Sequence, residues 1–246
     1  MCKITVFFSN LNKSDIIFMY LAPLFGALKR KMKTRWFFIF LYITMFVASQ
    51  TATNAQLVNI LDMDKSIHVD LKYATKDNFT GMVLYDGIDG AYLQADVARM
   101  LVQANQYLKS LHPDLRLIVY DAARPLSVQR IMWERVKNTP YHRYVAHPDR
   151  LSLHNFGAAV DLSIVDSRKQ PLDMGTPFDH FGRAAGISDE EGLVRQGVLT
   201  RQQVQNRQLL RKVMLHAGFQ SISGEWWHFN ACSLQEAKKR YTVVEN

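Results

Sequence analysis

Apolar and polar positions alternate with clear periods through most of this chain. In "QADVARMLVQANQYLKSL" (94–111), Val97, Leu101, Ala104 and Leu108 recur at helical spacing and share one face. "LRLIVYDA" (115–122) is a continuous apolar run of strand length, and "LSVQRIMWERV" (126–136) is a second helix with Val128, Ile131, Met132 and Val136 inward. "AAVDLSIV" (158–165) has the two-residue period of a strand, setting Ala159, Asp161 and Ser163 against Val160, Leu162 and Ile164. Thr200 caps a third helix whose buried stripe is Leu210, Val213, Met214 and Ala217, with Gly218 as its stop. "FQSISGEWWHFN" (219–230) reads as a closing hairpin. These elements predict an α+β fold, a small, mostly antiparallel sheet with helices packed against it. There is no internal repeat and no Rossmann-type alternation.

The first quarter has a different texture. Lys29, Arg30, Lys31, Lys33 and Arg35 precede the apolar run Trp36–Ala48, and the small, polar "SQTATNAQ" follows. That order matches a secretory signal. The run is shorter than the ~20 residues a membrane span requires. Residues 1–55 are therefore expected to be a targeting segment cut near Ala55, delivering residues 56–246 to the periplasm as a single domain. The alternative is an uncleaved anchor at residues 36–48, the chain's only expected membrane contact. Met32 is a second plausible start.

Removing residues 1–55 changes the charge reading. That segment holds seven of the 30 Lys and Arg and one of the 22 Asp and Glu, which leaves 23 against 21. A basic balance therefore gives no argument for nucleic-acid binding. Cys2 and Cys232 are the only cysteines, which excludes an internal disulfide in the exported part and a cysteine-rich metal site.

The chemistry gathers in two stretches. In "SLHNFGAAVDLS" (152–163), His154 precedes a turn at Gly157, and Asp161 interrupts an otherwise small and apolar strand. A buried carboxylate needs pairing or ligation. His228, in "SGEWWHFN" (223–230), completes a set of two imidazoles and one carboxylate. This set suits a catalytic zinc with one open position. Glu225, three residues before His228, is the candidate base for a metal-activated water. In an ideal strand those two side chains would face opposite sides, so a twist or bulge is expected between them. The remaining histidines, His68, His112, His142, His147, His180 and His216, have no partner at ligand spacing.

Together, Ser152, His154, Gly157, Ala159 and Asp161 followed by Glu225-Trp-Trp-His228 resemble the zinc D-alanyl-D-alanine dipeptidases of the VanX type, within the Hedgehog/DD-peptidase-like fold. "DLKYATKDNFTG" (70–81), "YDAARP" (120–125) and "MGTPFDHF" (174–181) resemble further blocks of that family, in order. The likeness spans roughly residues 62–232. It implies one zinc per chain on His154, Asp161 and His228, with Glu225 as proton carrier and Arg124 stabilising the oxyanion. Asp179 would meet the ammonium of a small dipeptide substrate, and Asp121 would orient Arg124 or contact substrate. Ser152, Tyr73 and Tyr85 are further pocket candidates, the register around Tyr85 being loose. The implied activity is hydrolysis of D-Ala-D-Ala in cell-wall peptide turnover. Two alternatives are a D,D-carboxypeptidase acting on muropeptide stems and a non-enzymatic wall-binding module with structural zinc. Trp226 and Trp227 are expected as one pocket wall and one core anchor.

Overall fold

A computed structural model describes residues 57–246. The apolar run, the cleavage position and the alternative anchor lie outside the described residues. Among the described residues no helix is long and apolar enough to cross a membrane.

Two small sheets carry the framework. Strands β1 (Leu57–Asn59) and β3 (Tyr92–Gln94) form an antiparallel ribbon. The main sheet has five strands in the order β2 (His68–Val69), β4 (Arg116–Asp121), β5 (Ala159–Val165), β7 (His228–Asn230) and β6 (Gln220–Ser221). Only β2 runs parallel to its neighbour, so the sheet is mostly antiparallel, as its alternating segments predict. Helix α1 (Ile60–Met63) is a single turn, and α2 (Ala95–Leu111) and α5 (Arg201–His216) are the long helices. They bury Leu101, Ala104 and Leu108 with Leu210, Val213 and Met214, over Leu117, Val119, Leu162 and Ile164 of the sheet. Thr200 does cap α5, in a reciprocal pair with Gln203. Helix α3 (Leu126–Val136), the short α4 (Glu190–Arg195) and α6 (Leu234–Arg240) complete the fold.

Three details depart from the sequence pattern. Ile131, expected inward on α3, is 41% exposed, and the polar Gln129 occupies the buried stripe instead. All of β5 is buried, not one face only, because the 166–182 segment folds over the second face and seats Phe178 among Ile118, Tyr120 and Val165. No bulge separates Glu225 from His228. The closing strand begins only at His228, so Glu225 and both tryptophans lie in the loop before it, where strand alternation does not apply.

Candidate active site

The sheet's register assembles the site. A register shift between Val119 and Asp121 sets Asp121 opposite Asp161, and Asp161 stands opposite His228. Asp121, Asp161 and His228 thus form one row across β4, β5 and β7.

His154 enters from a short 3-10 turn, Leu153–Phe156, that precedes β5. Ser152 accepts the His154 N–H, and the Asn155 side chain accepts the Ser152 N–H at 2.8 Å, closing a capping box. The turn ends at Gly157 with φ +62, a backbone conformation that favours glycine, and a Cβ there would also displace a Leu57 methyl 2.6 Å away. Asn155 also donates to the Arg124 carbonyl, and the Arg124 N–H donates to the His154 carbonyl, strapping this turn to the arginine.

The donor atoms converge. His154 Nε2 and His228 Nδ1 are 3.2 Å apart, and they lie 3.3 and 2.9 Å from Asp161 Oδ1. Tetrahedral ligands at zinc distances stand about 3.3 Å from one another. Each ring's other nitrogen is already committed. His154 Nδ1 donates to the Ala122 carbonyl at 2.7 Å, and His228 Nε2 donates to Asn230 Oδ1 at 2.7 Å. These assignments leave two lone pairs facing each other beside a carboxylate, an arrangement that needs a shared proton or a cation between them. The residues present fit a divalent metal. Among the described residues, this is the one group of three or more His, Cys, Asp or Glu whose ligand atoms converge so. Burial pushes Asp161 up, but His154 and the two histidine hydrogen bonds outweigh it and hold its carboxyl far below the usual range. Burial works against a charged His154, and Asp161 overcomes it and raises the imidazole.

Arg124 is 9% exposed and firmly held. Its Nε and Nη2 donate to Asp121 Oδ2 at 2.9 and 2.5 Å, Nη1 donates to Gln129 at 3.0 Å, and the Tyr73 ring lies 5.3 Å from Cζ. Burial opposes its charge, and Asp121 more than restores it, so the group stays cationic. Asp121, wholly buried, also accepts the Tyr85 hydroxyl. Of its two expected roles, geometry favours orienting Arg124. Asp121 and Tyr85 stand behind the arginine and do not line the cavity.

A cavity of about 380 Å³ gathers the remaining candidates: Tyr73, Ser152, Asp179 and Glu225, with Arg124 and the three ligand residues. Tyr73 donates its hydroxyl to both oxygens of Asp179, each at 3.0 Å. Burial, reinforced by the charge on Asp161, pushes Asp179 up to about 7. Its backbone takes φ +60, a conformation that costs a non-glycine residue energy. Glu225 is half-buried and also pushed up to about 7, first by burial, with His228 opposing and Asp161 and Asp179 adding. Trp227 lines the cavity edge-on to Phe178, and Trp226 anchors the loop by donating to Thr176 at 2.8 Å.

Sequence reasoning missed Gln129, Asn155, Asn230 and Arg207. Gln129 had a readable signal, since it is a polar residue spaced with Met132 and Val136 on an apolar stripe. Arg207 is fully buried and ties the Asp179 segment to α5 through the carbonyls of Met174, at 2.6 Å, and Ala184, at 2.9 Å. It too had a readable signal, since it is spaced with Val204, Leu210 and Met214 on the buried stripe of α5.

A family profile described as D-ala-D-ala dipeptidase matches residues 53–245. The chain belongs to this family. It is 32% identical over 174 residues to the D-alanyl-D-alanine dipeptidase of Escherichia coli, covering 71% of this chain and 83% of that protein. A D-alanyl-D-alanine dipeptidase of Synechocystis is 30% identical over 177 residues, covering 59% of this chain and 71% of that protein. One from Enterococcus faecalis is 28% identical over 193 residues, covering 69% and 89%. A crystal structure of a vancomycin resistance D,D-pentapeptidase in complex with Zn(II) is a distant likeness, with TM-score 0.32 and 16% identity over 62% of this chain and 79% of that one. That superposition is too loose to argue from.

Proposed function

We propose that this dipeptidase-family chain is a zinc metallopeptidase that hydrolyses D-alanyl-D-alanine to two molecules of D-alanine. One observation carries the reading: three facing ligand atoms about 3 Å apart share a single cavity with Glu225 and Arg124. Holding a structural metal requires neither of the latter two.

His154, Asp161 and His228 would bind zinc, which when bound acidifies water and polarises a carbonyl. Glu225 takes a proton from the attacking water on a carboxylate oxygen and returns it to the departing amine nitrogen. Its elevated pKa suits both halves of that exchange. Arg124, fixed by Asp121 and Gln129 before substrate arrives, donates to the oxygen that gains charge at the scissile carbonyl, so little reorganisation is left for the reaction itself. Asp179, steadied by the Tyr73 hydroxyl, pairs with the free ammonium. Ser152 sits at the cavity wall with its hydroxyl hydrogen free to reach substrate.

A cavity of about 380 Å³ is large enough to admit a dipeptide. The deciding assay compares D-Ala-D-Ala with a stem pentapeptide. Cleavage of the dipeptide alone supports this reading, and release of D-Ala from the pentapeptide favours a carboxypeptidase. Export through residues 1–55 belongs to the same proposal and places the activity in cell-wall peptide turnover. It rests on the basic, apolar and small-residue order of that segment. N-terminal sequencing of protein from a periplasmic fraction tests it, an intact N-terminus in the cytoplasm being the contrary result.

A further inference from the structure

We propose that Arg143 receives the C-terminal carboxylate of the dipeptide. This inference rests on the dipeptidase reading above and names how the second charged end of the substrate is recognised. A free dipeptide carries two charges, and Asp179 answers only the ammonium. Its carboxylate needs a donor of opposite charge on the cavity wall. Two guanidinium groups line the cavity, Arg124 and Arg143.

Arg124 is held in place for the oxyanion. Asp121 takes Nε and Nη2, and Gln129 takes Nη1, inside the protein. Arg143 is the reverse case. It is exposed, only its Nε is engaged, with the Pro140 carbonyl at 3.2 Å, and its terminal amino groups take no partner among the described residues. A guanidinium with both terminal groups free presents the planar fork that a carboxylate accepts in bidentate fashion.

Local structure restrains the Arg143 side chain at the cavity wall. Arg143 sits in the 3-10 turn Pro140–Tyr144, which Thr139 caps through the Tyr141 N–H and whose first residue is proline. The Nε bond anchors the stem to the start of that turn. Its Cζ lies 5.8 Å from the Tyr144 ring, and that ring stacks on Phe181 at 4.9 Å with only 12° between planes. Phe181 is two residues after Asp179. The stack therefore links the turn that carries Arg143 to the segment that carries Asp179, and both residues line the same cavity.

The test uses the zinc-loaded enzyme with D-Ala-D-Ala and with its C-terminal amide. Wild type is expected to prefer the free acid by about tenfold or more in kcat/KM, the range of a hydrogen bond between charged groups. Arg143→Ala should raise KM for the acid by a similar factor, leave kcat within about twofold, and abolish the preference over the amide. Arg143→Lys should restore part of that preference. An alanine variant that keeps both its KM and its acid preference overturns the inference while leaving the dipeptidase reading intact. A folded, zinc-loaded wild type that cleaves neither compound defeats both.

Discussion

Neutralising Asp121 is the perturbation that probes most of the site at once. In Asp121→Asn the shape is kept, but a wholly buried carboxylate that receives Arg124 Nε at 2.9 Å becomes an amide. The guanidinium stays buried, with Asp161 3.8 Å away as its nearest remaining countercharge. Breaking a buried ion pair from one side costs about 3–5 kcal/mol. For a domain of this size, each kcal/mol lowers Tm by about 3 °C, so a fall of about 10 °C is expected. Loss of the positioned donor should also reduce kcat, by up to the hundredfold or so that removal of an oxyanion donor costs. Tyr85→Phe is the graded control. It removes one hydroxyl donor to the same carboxylate and should cost about 1 kcal/mol with little change in kcat. Thermal unfolding and steady-state kinetics on both variants supply the readouts. An Asp121→Asn enzyme that melts within about 2 °C of wild type and turns over normally would show that Arg124 is not held in the manner described.

Two further outcomes follow from other parts of the structure. Asp179 holds its proton up to about pH 7, whereas an unfolded aspartate releases it near 3.9, so the folded state binds more protons across that window and loses stability as pH rises through it. Metal-free Asp179→Asn should therefore be more stable than wild type at pH 8 and nearly equal to it at pH 4. Denaturant titrations at the two pH values check this, and an equal difference at both contradicts it. The C-terminal residues supply acceptors for the first N–H groups of α3, with Leu126 and Ser127 donating to Val244 and Glu245, while the Val244 N–H meets the Asn155 carbonyl at 2.8 Å. Deleting residues 242–246 strips three hydrogen bonds and should cost about 2–3 kcal/mol in denaturant unfolding. A change below about 0.5 kcal/mol would show that water replaces the tail without penalty.

Legibility in the sequence followed the range of the forces involved. Helix α2 and the capped α5 are local patterns, and they lie where periodicity and capping chemistry put them. Strands β4 and β5 were readable from their apolar runs. The parallel β2 and the β1–β3 ribbon were not, since strands of two and three residues carry no period and owe their form to partners far along the chain. Ile131 misled because helical spacing alone does not tell the edge of an apolar stripe from its centre, and the hydrogen bonds that Gln129 accepts from Arg124 and donates to the Ala146 carbonyl favoured turning that residue inward. At the site, Asp161 was conspicuous as a charge in an apolar strand. The register shift that brings Asp121 beside it leaves no mark in composition. Asn155 and Asn230 look like ordinary turn and strand polar residues until their partners, Arg124 and His228, are in place.

The central claim is that His154, Asp161 and His228 hold zinc while Glu225 moves the proton. Glu225→Ala, with zinc content and D-Ala-D-Ala turnover measured on the same purified protein, tests both parts together. The account predicts one zinc per chain, as in wild type, with turnover reduced at least the hundredfold or so that loss of a general base costs. Turnover that survives at the wild-type rate, or a wild-type protein that binds no zinc, would contradict it.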